Sequence, residues 1–186
     1  MPSTVRTLLA ALVVALPLAA CSSQGSSLPA LETAKTDDAT YHLGAGDKLH
    51  VVVAGADDLS NDYVVGDNGA VSLPLVGDIN ARGLTRAQVE KEMEEKLAQG
   101  YIKNPKVSVS ILSYRPFYIY GEVTKPGEYP YASGMRVMSA VATAGGYTYR
   151  AQEGYVVVTR DGETRRAAPD TPIRPDDVIR VPERYF

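Results

Sequence analysis

From Tyr41 onward the chain is cut by glycine and proline into short alternating apolar runs, and this punctuation limits the fold more than any other feature. KLHVVVA, DYVVG, AVSLPLVG and KVSVSIL read as strands of a β-rich body. In KVSVSIL, Val107, Val109 and Ile111 fall on one face and Ser108 and Ser110 on the other, the period of a strand with one buried side. Asp67-Asn68-Gly69 stands between Tyr63-Val64-Val65 and Val71-Ser72-Leu73. Asp, Asn and Gly tolerate the positive φ of a tight turn, so this stretch predicts a hairpin.

Two segments change period. Thr85 and Gln88 form a capping-box pattern, with Leu84 and Val89 as the hydrophobic staple around it. Val89, Met93 and Leu97 then recur every four residues as a buried stripe, Glu92 is placed to pair with Lys96, and Gly100 stops the helix. The charged run EKEMEEK within it reads as a solvated face. A second, shorter helix is predicted over Arg136–Ala144, ending at Gly145-Gly146, with Val137, Val141 and Ala144 on one face. Pro169, Pro172, Pro175 and Pro182 frame a last strand, Asp177 to Val181. The class is α+β, in two units of strands with one helix each, 41–113 and 114–186.

The N-terminal part has a different character. Cys21 is the only cysteine, so an internal disulfide is excluded by count, and the two histidines, His42 and His50, are too few partners for a zinc site. Arg6 is followed by an apolar stretch from Leu8 to Ala20 that ends in small residues, the architecture of a signal peptide, and it is shorter than the roughly 20 residues a membrane-spanning helix needs. Leu18-Ala19-Ala20-Cys21 resembles the bacterial lipoprotein signal. The resemblance implies removal of residues 1–20, lipidation of Cys21, and, with Ser22 next, sorting to the outer membrane. Residues 21–40 then read as a lipidated, flexible tether rich in serine and threonine. Anchoring through acyl chains requires no transmembrane helix. The net charge of −3, with no basic run, offers no electrostatic footprint for nucleic acid.

From Tyr41 the motifs themselves resemble a family. Tyr41-His42-Leu43-Gly44-Ala45-Gly46-Asp47-Lys48-Leu49, Val65-Gly66-Asp67-Asn68-Gly69, Leu73-Pro74-Leu75-Val76-Gly77, Gly83-Leu84-Thr85 and Pro105-Lys106-Val107-Ser108-Val109 follow one another. In that order they resemble the export domain of the outer-membrane polysaccharide export family, the Wza-type exporters. Tyr120-Gly121-Glu122-Val123, Lys125-Pro126-Gly127-Glu128-Tyr129, Ala142-Thr143-Ala144-Gly145-Gly146 and Pro175-Asp176-Asp177-Val178-Ile179 are similar to the SLBB module, a β-grasp-like fold. The expected domains are therefore 41–113 for export and 114–186 for SLBB.

The residues of these motifs also have physical roles of their own. Gly44, Gly46, Gly69, Gly77, Gly121 and Gly127 fall at strand ends, where turn conformations closed to other residues are wanted. Pro126-Gly127 suits a chain reversal between Ile119-Tyr120 and Tyr129-Pro130-Tyr131. Asp47 follows two glycines, so its carboxylate is expected to accept from nearby backbone N–H groups. Most tyrosines fall in the second unit. Tyr118 and Tyr120 should share one strand face and Tyr129 and Tyr131 another, packing against one another or a neighbouring subunit, or else contacting sugar.

The resemblance implies a homo-oligomeric ring, lipid-anchored at the periplasmic face of the outer membrane, whose lumen conducts a capsular polysaccharide or exopolysaccharide chain. It further implies an inner-membrane polysaccharide co-polymerase as partner and no cofactor, metal or catalytic residue. Longer members add a C-terminal helix that lines an outer-membrane pore. The stretch ending at Val181-Pro182-Glu183-Arg184-Tyr185-Phe186 holds no such helix, so crossing is expected to use a separate outer-membrane β-barrel or a route not visible in the sequence. Two rivals are a monomeric lipoprotein that binds a small periplasmic ligand through its SLBB unit, and a glycosidase using Asp57 with Asp58 or Asp176 with Asp177. Adjacent strand residues point to opposite faces, which disfavours either pair as flanking carboxylates.

Overall fold

The computed structural model describes residues 41–184, so the signal segment, Cys21 and the tether lie outside the described residues. The first unit is built on β1 (Lys48–Val53), which pairs antiparallel with β2 (Asn61–Val64) on one side and β5 (Val107–Ser113) on the other. Leu49, Val51 and Val53 face inward along β1 while Lys48, His50 and Val52 face out, the strict alternation of a one-sided sheet. A separate two-stranded ribbon, β3 (Ala70–Leu73) with β4 (Gly77–Asn80), adds Val71 and Ile79 to the same core. Helix α1 (Arg86–Ala98) closes that core with Val89, Met93 and Leu97, all fully buried. Burial of each such side chain stabilises the fold by about 1.5–3 kcal/mol.

The capping box at the start of α1 is complete. The Gln88 N–H donates to the Thr85 hydroxyl at 3.4 Å, and the Thr85 N–H donates to the Gln88 side chain at 2.8 Å. Its charged face departs from the expected one. Glu90 and Glu94 accept from the backbone N–H of Val109 at 2.8 Å and of Val107 at 3.1 Å, so the helix covers the free edge of β5 with carboxylates. Lys96 donates to the Asp78 carbonyl rather than pairing with Glu92, and the helical ion pair present is Lys91 with Glu95.

The hairpin expected across Asp67-Asn68-Gly69 is also corrected. The turn is present, with Gly69 at φ +81° and Gly69 N–H donating to the Gly66 carbonyl, but its flanking strands part company. β2 pairs with β1, whereas β3 pairs with β4 across Pro74-Leu75-Val76. Turn chemistry is local, but strand pairing follows burial of Val71 and Ile79 in the core.

The second unit is a five-stranded mixed sheet in the order β7-β6-β10-β8-β9. Its strands are β6 (Phe117–Gly121), β7 (Gly127–Tyr129), β8 (Val156–Arg160), β9 (Glu163–Ala167) and β10 (Val178–Val181). The first and last strands run parallel at its centre, and helix α2 (Val137–Thr143) packs on one face through Val137, Ala140 and Val141. This is the β-grasp arrangement. Gly145 and Gly146, at φ +83° and +87°, turn the chain away after α2. The chain reversal between β6 and β7 depends on Gly121 at φ +91°, whereas Gly127 does not adopt a positive φ and is paired with Ile119. Among the described residues no helix is long and apolar enough to cross a membrane.

Candidate functional site

The two cores meet where β5 runs into β6, and the contact is organised by one buried carboxylate. Gly44-Ala45-Gly46-Asp47 is a turn with Gly46 at φ +94°, closed by the Asp47 N–H donating to the Gly44 carbonyl at 3.2 Å. It delivers Asp47, fully buried, to the head of β1. There the carboxylate accepts from the Gly44 N–H and the Tyr41 hydroxyl, each at 2.8 Å, and from the Arg115 N–H at 2.9 Å. The Arg115 guanidinium lies 3.7 Å away and also donates to the Tyr41 hydroxyl at 3.3 Å. Gly44 leaves room for this guanidinium, because a Cβ there would occupy its position.

Burial, reinforced by the Asp47 charge and hydrogen bond, pushes the Tyr41 hydroxyl well above its ordinary pKa. Burial works to lower the pKa of Arg115, yet Tyr41 and Asp47 outweigh it and hold the group above its ordinary value. Tyr41 packs edge-on against Tyr114, and Tyr114 edge-on against Tyr131, with ring centroids 5.0 and 5.4 Å apart. A ladder of three tyrosines thus links the first core to the second.

The same local device recurs in the second unit. Arg174-Pro175-Asp176-Asp177 turns with Asp176 at φ +72°, and the Asp177 N–H donates to the Arg174 carbonyl at 3.2 Å. Asp177 is fully buried at the head of β10 and accepts from the Arg174 N–H, while Arg160 grips both of its oxygens at 2.7 Å. Its neighbour Asp176 is exposed, so the two carboxylates do not flank one site; Asp57 and Asp58 lie on an exposed single turn.

Beside the junction lies an open groove of about 630 Å³. The backbone of Gly44, Ala45 and Gly46 forms one wall, and Arg115 and Tyr118 line it from the second unit. Of the tyrosines singled out in the sequence, Tyr118 and Tyr120 are exposed side by side on β6, with Ile119 buried between them. Tyr129 and Tyr131 do not make a second exposed pair. Tyr131 is 7% exposed and belongs to the tyrosine ladder; Tyr129 stacks on Phe117 and donates to the Lys125 carbonyl. Asp67 and Pro74 are exposed on their turns, Gly77 stands at φ +80° after the β3–β4 tip, and Pro126 is exposed ahead of β7. Arg115 is the residue that sequence reasoning missed. Its partner lies 68 positions earlier, and no local pattern marks such a pair.

An α+β tandem, in which a helix-capped sheet is clamped through a buried Asp–Arg contact to a β-grasp sheet, is the class that this geometry defines. Residues 35–112 match the family model described as polysaccharide biosynthesis/export protein, and residues 116–168 match the SLBB domain. The chain belongs to the polysaccharide biosynthesis/export family, with an SLBB domain following its export domain. Its relatives include the exopolysaccharide production protein ExoF of Rhizobium meliloti (strain 1021), 43% identical over 141 residues, which span 69% of this chain and 32% of that protein. The EPS I polysaccharide export outer membrane protein EpsA of Ralstonia solanacearum is 29% identical over 150 residues, 66% of this chain and 40% of that one. The capsule polysaccharide export outer membrane protein CtrA of Neisseria meningitidis is 32% identical over 111 residues, 58% and 28% of the two chains. The chain therefore spans between about a quarter and two fifths of the length of these relatives.

Proposed function

We propose that this protein is a component of a polysaccharide export apparatus at the outer membrane, acting as a homo-oligomeric ring that conducts a capsular or exopolysaccharide chain. The observation that carries the reading is the succession of an export match over residues 35–112 and an SLBB match over residues 116–168. Relatives named for capsule and exopolysaccharide export at the outer membrane support it over a small-ligand lipoprotein. The domain boundaries we propose are 41–113 and 114–186, preceded by a signal peptide to residue 20 and a tether to residue 40. In this reading Cys21 is lipidated and holds the ring at the periplasmic face. An inner-membrane co-polymerase delivers the chain, and a separate outer-membrane β-barrel completes the path. A ring requires two different, complementary faces on each subunit, and two domains in tandem, in contact through Asp47 and Arg115, are suited to present them.

Deletion of the gene, with secreted polymer measured as hexose in the culture fluid, tests the function. Secretion should fall to background and return on complementation; undiminished secretion overturns the proposal. Native mass spectrometry of detergent-extracted protein tests the ring and the lipid together, since a monomer at every concentration or an unmodified Cys21 removes the corresponding part.

A further inference from the structure

The groove at the domain junction contains side chains that the fold itself leaves unused. Asp47 and Asp177 have both oxygens engaged, whereas His42, Tyr118, Asp161 and Asp176 line the groove with side chains that make no hydrogen bond among the described residues; the charge of Asp176 acts on the neighbouring Arg115. Asp161 and Asp176 come from different turns. Asp161 follows β8 and Asp176 precedes β10, so the antiparallel pairing of Thr159 with Val178 brings the two turns to the same end of the sheet. Tyr118 lies in the adjacent row, paired with Val178 across the parallel β6–β10 ladder.

Both aspartates stand on left-handed backbone because their tight turns require it, Asp161 at φ +51° ahead of Gly162 in the two-residue β8–β9 turn and Asp176 at φ +72° after Pro175. An occupant that pairs with these two carboxylates must donate hydrogen bonds. A bare cation is poorly served, because no cluster of three or more acidic, cysteine or histidine ligands exists among the described residues. A polyhydroxylated ring is well served. It can lay its apolar face on Tyr118, give hydroxyl hydrogens to the two carboxylates, and take hydrogen bonds from Arg82 and His42 on the other rim. The glycine wall lets such a ring approach the backbone, and the volume falls within the ordinary range of about 300–1,000 Å³ for small-ligand sites.

We propose that the junction groove is a glycan subsite, in which Tyr118, Asp161 and Asp176 hold a short segment of the polymer. This rests on the export reading, and it assigns to this groove the contact between protein and chain. With cationic and anionic side chains both present, the site selects neutral or weakly charged sugar units over a polyanion.

The test uses full-length, detergent-extracted protein titrated calorimetrically with oligosaccharides released by mild acid from the polymer that the producing strain secretes. Tyr118→Val retains a strand-forming residue, and Asp161→Asn and Asp176→Asn retain side chains that tolerate the left-handed turn. Urea midpoints equal to wild type establish that each variant folds. Saturable binding by the wild type, weakened about tenfold in each variant and unchanged in Tyr120→Val, supports the subsite. Absence of binding to the wild type, equal binding by the three variants, or a response to calcium chloride alone overturns it. The gene deletion separates the two readings. Lost secretion alongside a silent titration removes the subsite and leaves export standing, whereas undiminished secretion removes export whatever the titration shows.

Discussion

Asp47→Asn is the most informative single change in this chain, because it preserves volume while removing the charge on which the domain junction converges. The carboxylate is fully buried and receives three hydrogen bonds, at 2.8, 2.8 and 2.9 Å, with the Arg115 guanidinium 3.7 Å away. An asparagine must place its NH₂ group against either the Arg115 N–H or the Tyr41 hydroxyl and Gly44 N–H. The hydroxyl can rotate to accept, but a backbone N–H cannot. At least one donor is left facing another donor, which costs about 1–3 kcal/mol. Arg115 also loses its nearest counter-charge, keeping only the more distant carboxylate of Asp176. Breaking a fully buried pair costs about 3–5 kcal/mol, but the Arg115 side chain is 24% exposed, so water recovers part of this. The expected total is about 3 kcal/mol, and the thermal midpoint should fall by roughly 10 °C. Urea denaturation followed by tyrosine circular dichroism measures it. The Asp47→Asn/Arg115→Met double variant should recover at least about 1 kcal/mol relative to additivity, because it removes the stranded cation. A loss below about 1 kcal/mol, the level of an exposed ion pair, would refute the clamp.

Three further outcomes are expected. Gly121→Ala, where φ is +91° and a Cβ would overlap the Val181 carbonyl oxygen, should cost more than about 3 kcal/mol by splitting β6 from β10; Gly77→Ala, with open space around it, should cost about 1–2 kcal/mol in the same urea assay. Glu90→Ala should abolish hydrogen-exchange protection of the Val109 amide and lower stability by about 1–2 kcal/mol, whereas Glu92→Ala should leave both within about 0.5 kcal/mol of wild type. The buried Tyr41 hydroxyl holds its proton more tightly folded than unfolded, so the unfolded state binds fewer protons above about pH 10 and stability must decline there as pH rises. Tyr41→Phe should be less stable at neutral pH but show a shallower alkaline decline in its urea midpoint, and an unchanged slope would count against this assignment.

The sequence by itself determined the features set by neighbours a few residues apart. The capping box of Thr85 and Gln88, the stripe of Val89, Met93 and Leu97, the alternation of β1 and β5 and the α+β class are all local periodicities. The order of family motifs was equally legible, since it needs only succession along the chain. The tertiary structure decided what depends on distant partners. Asp67-Asn68-Gly69 makes a turn, but which strands it separates was settled by burial of Val71 and Ile79. The charged run on α1 looks solvated until β5 comes beside it with unpaired N–H groups. Nothing in the spacing of Tyr131 tells packing among tyrosines from contact with a neighbouring subunit or sugar, and the ring supplied by Tyr114 takes it into the core. Asp47 joins Arg115, and the turns of Asp161 and Asp176 reach the same end of the sheet, only because separate chain segments close upon one another. Short-range patterns are encoded in spacing, whereas the pairing of remote charges is chosen by whichever packing buries the most apolar surface while leaving those groups satisfied.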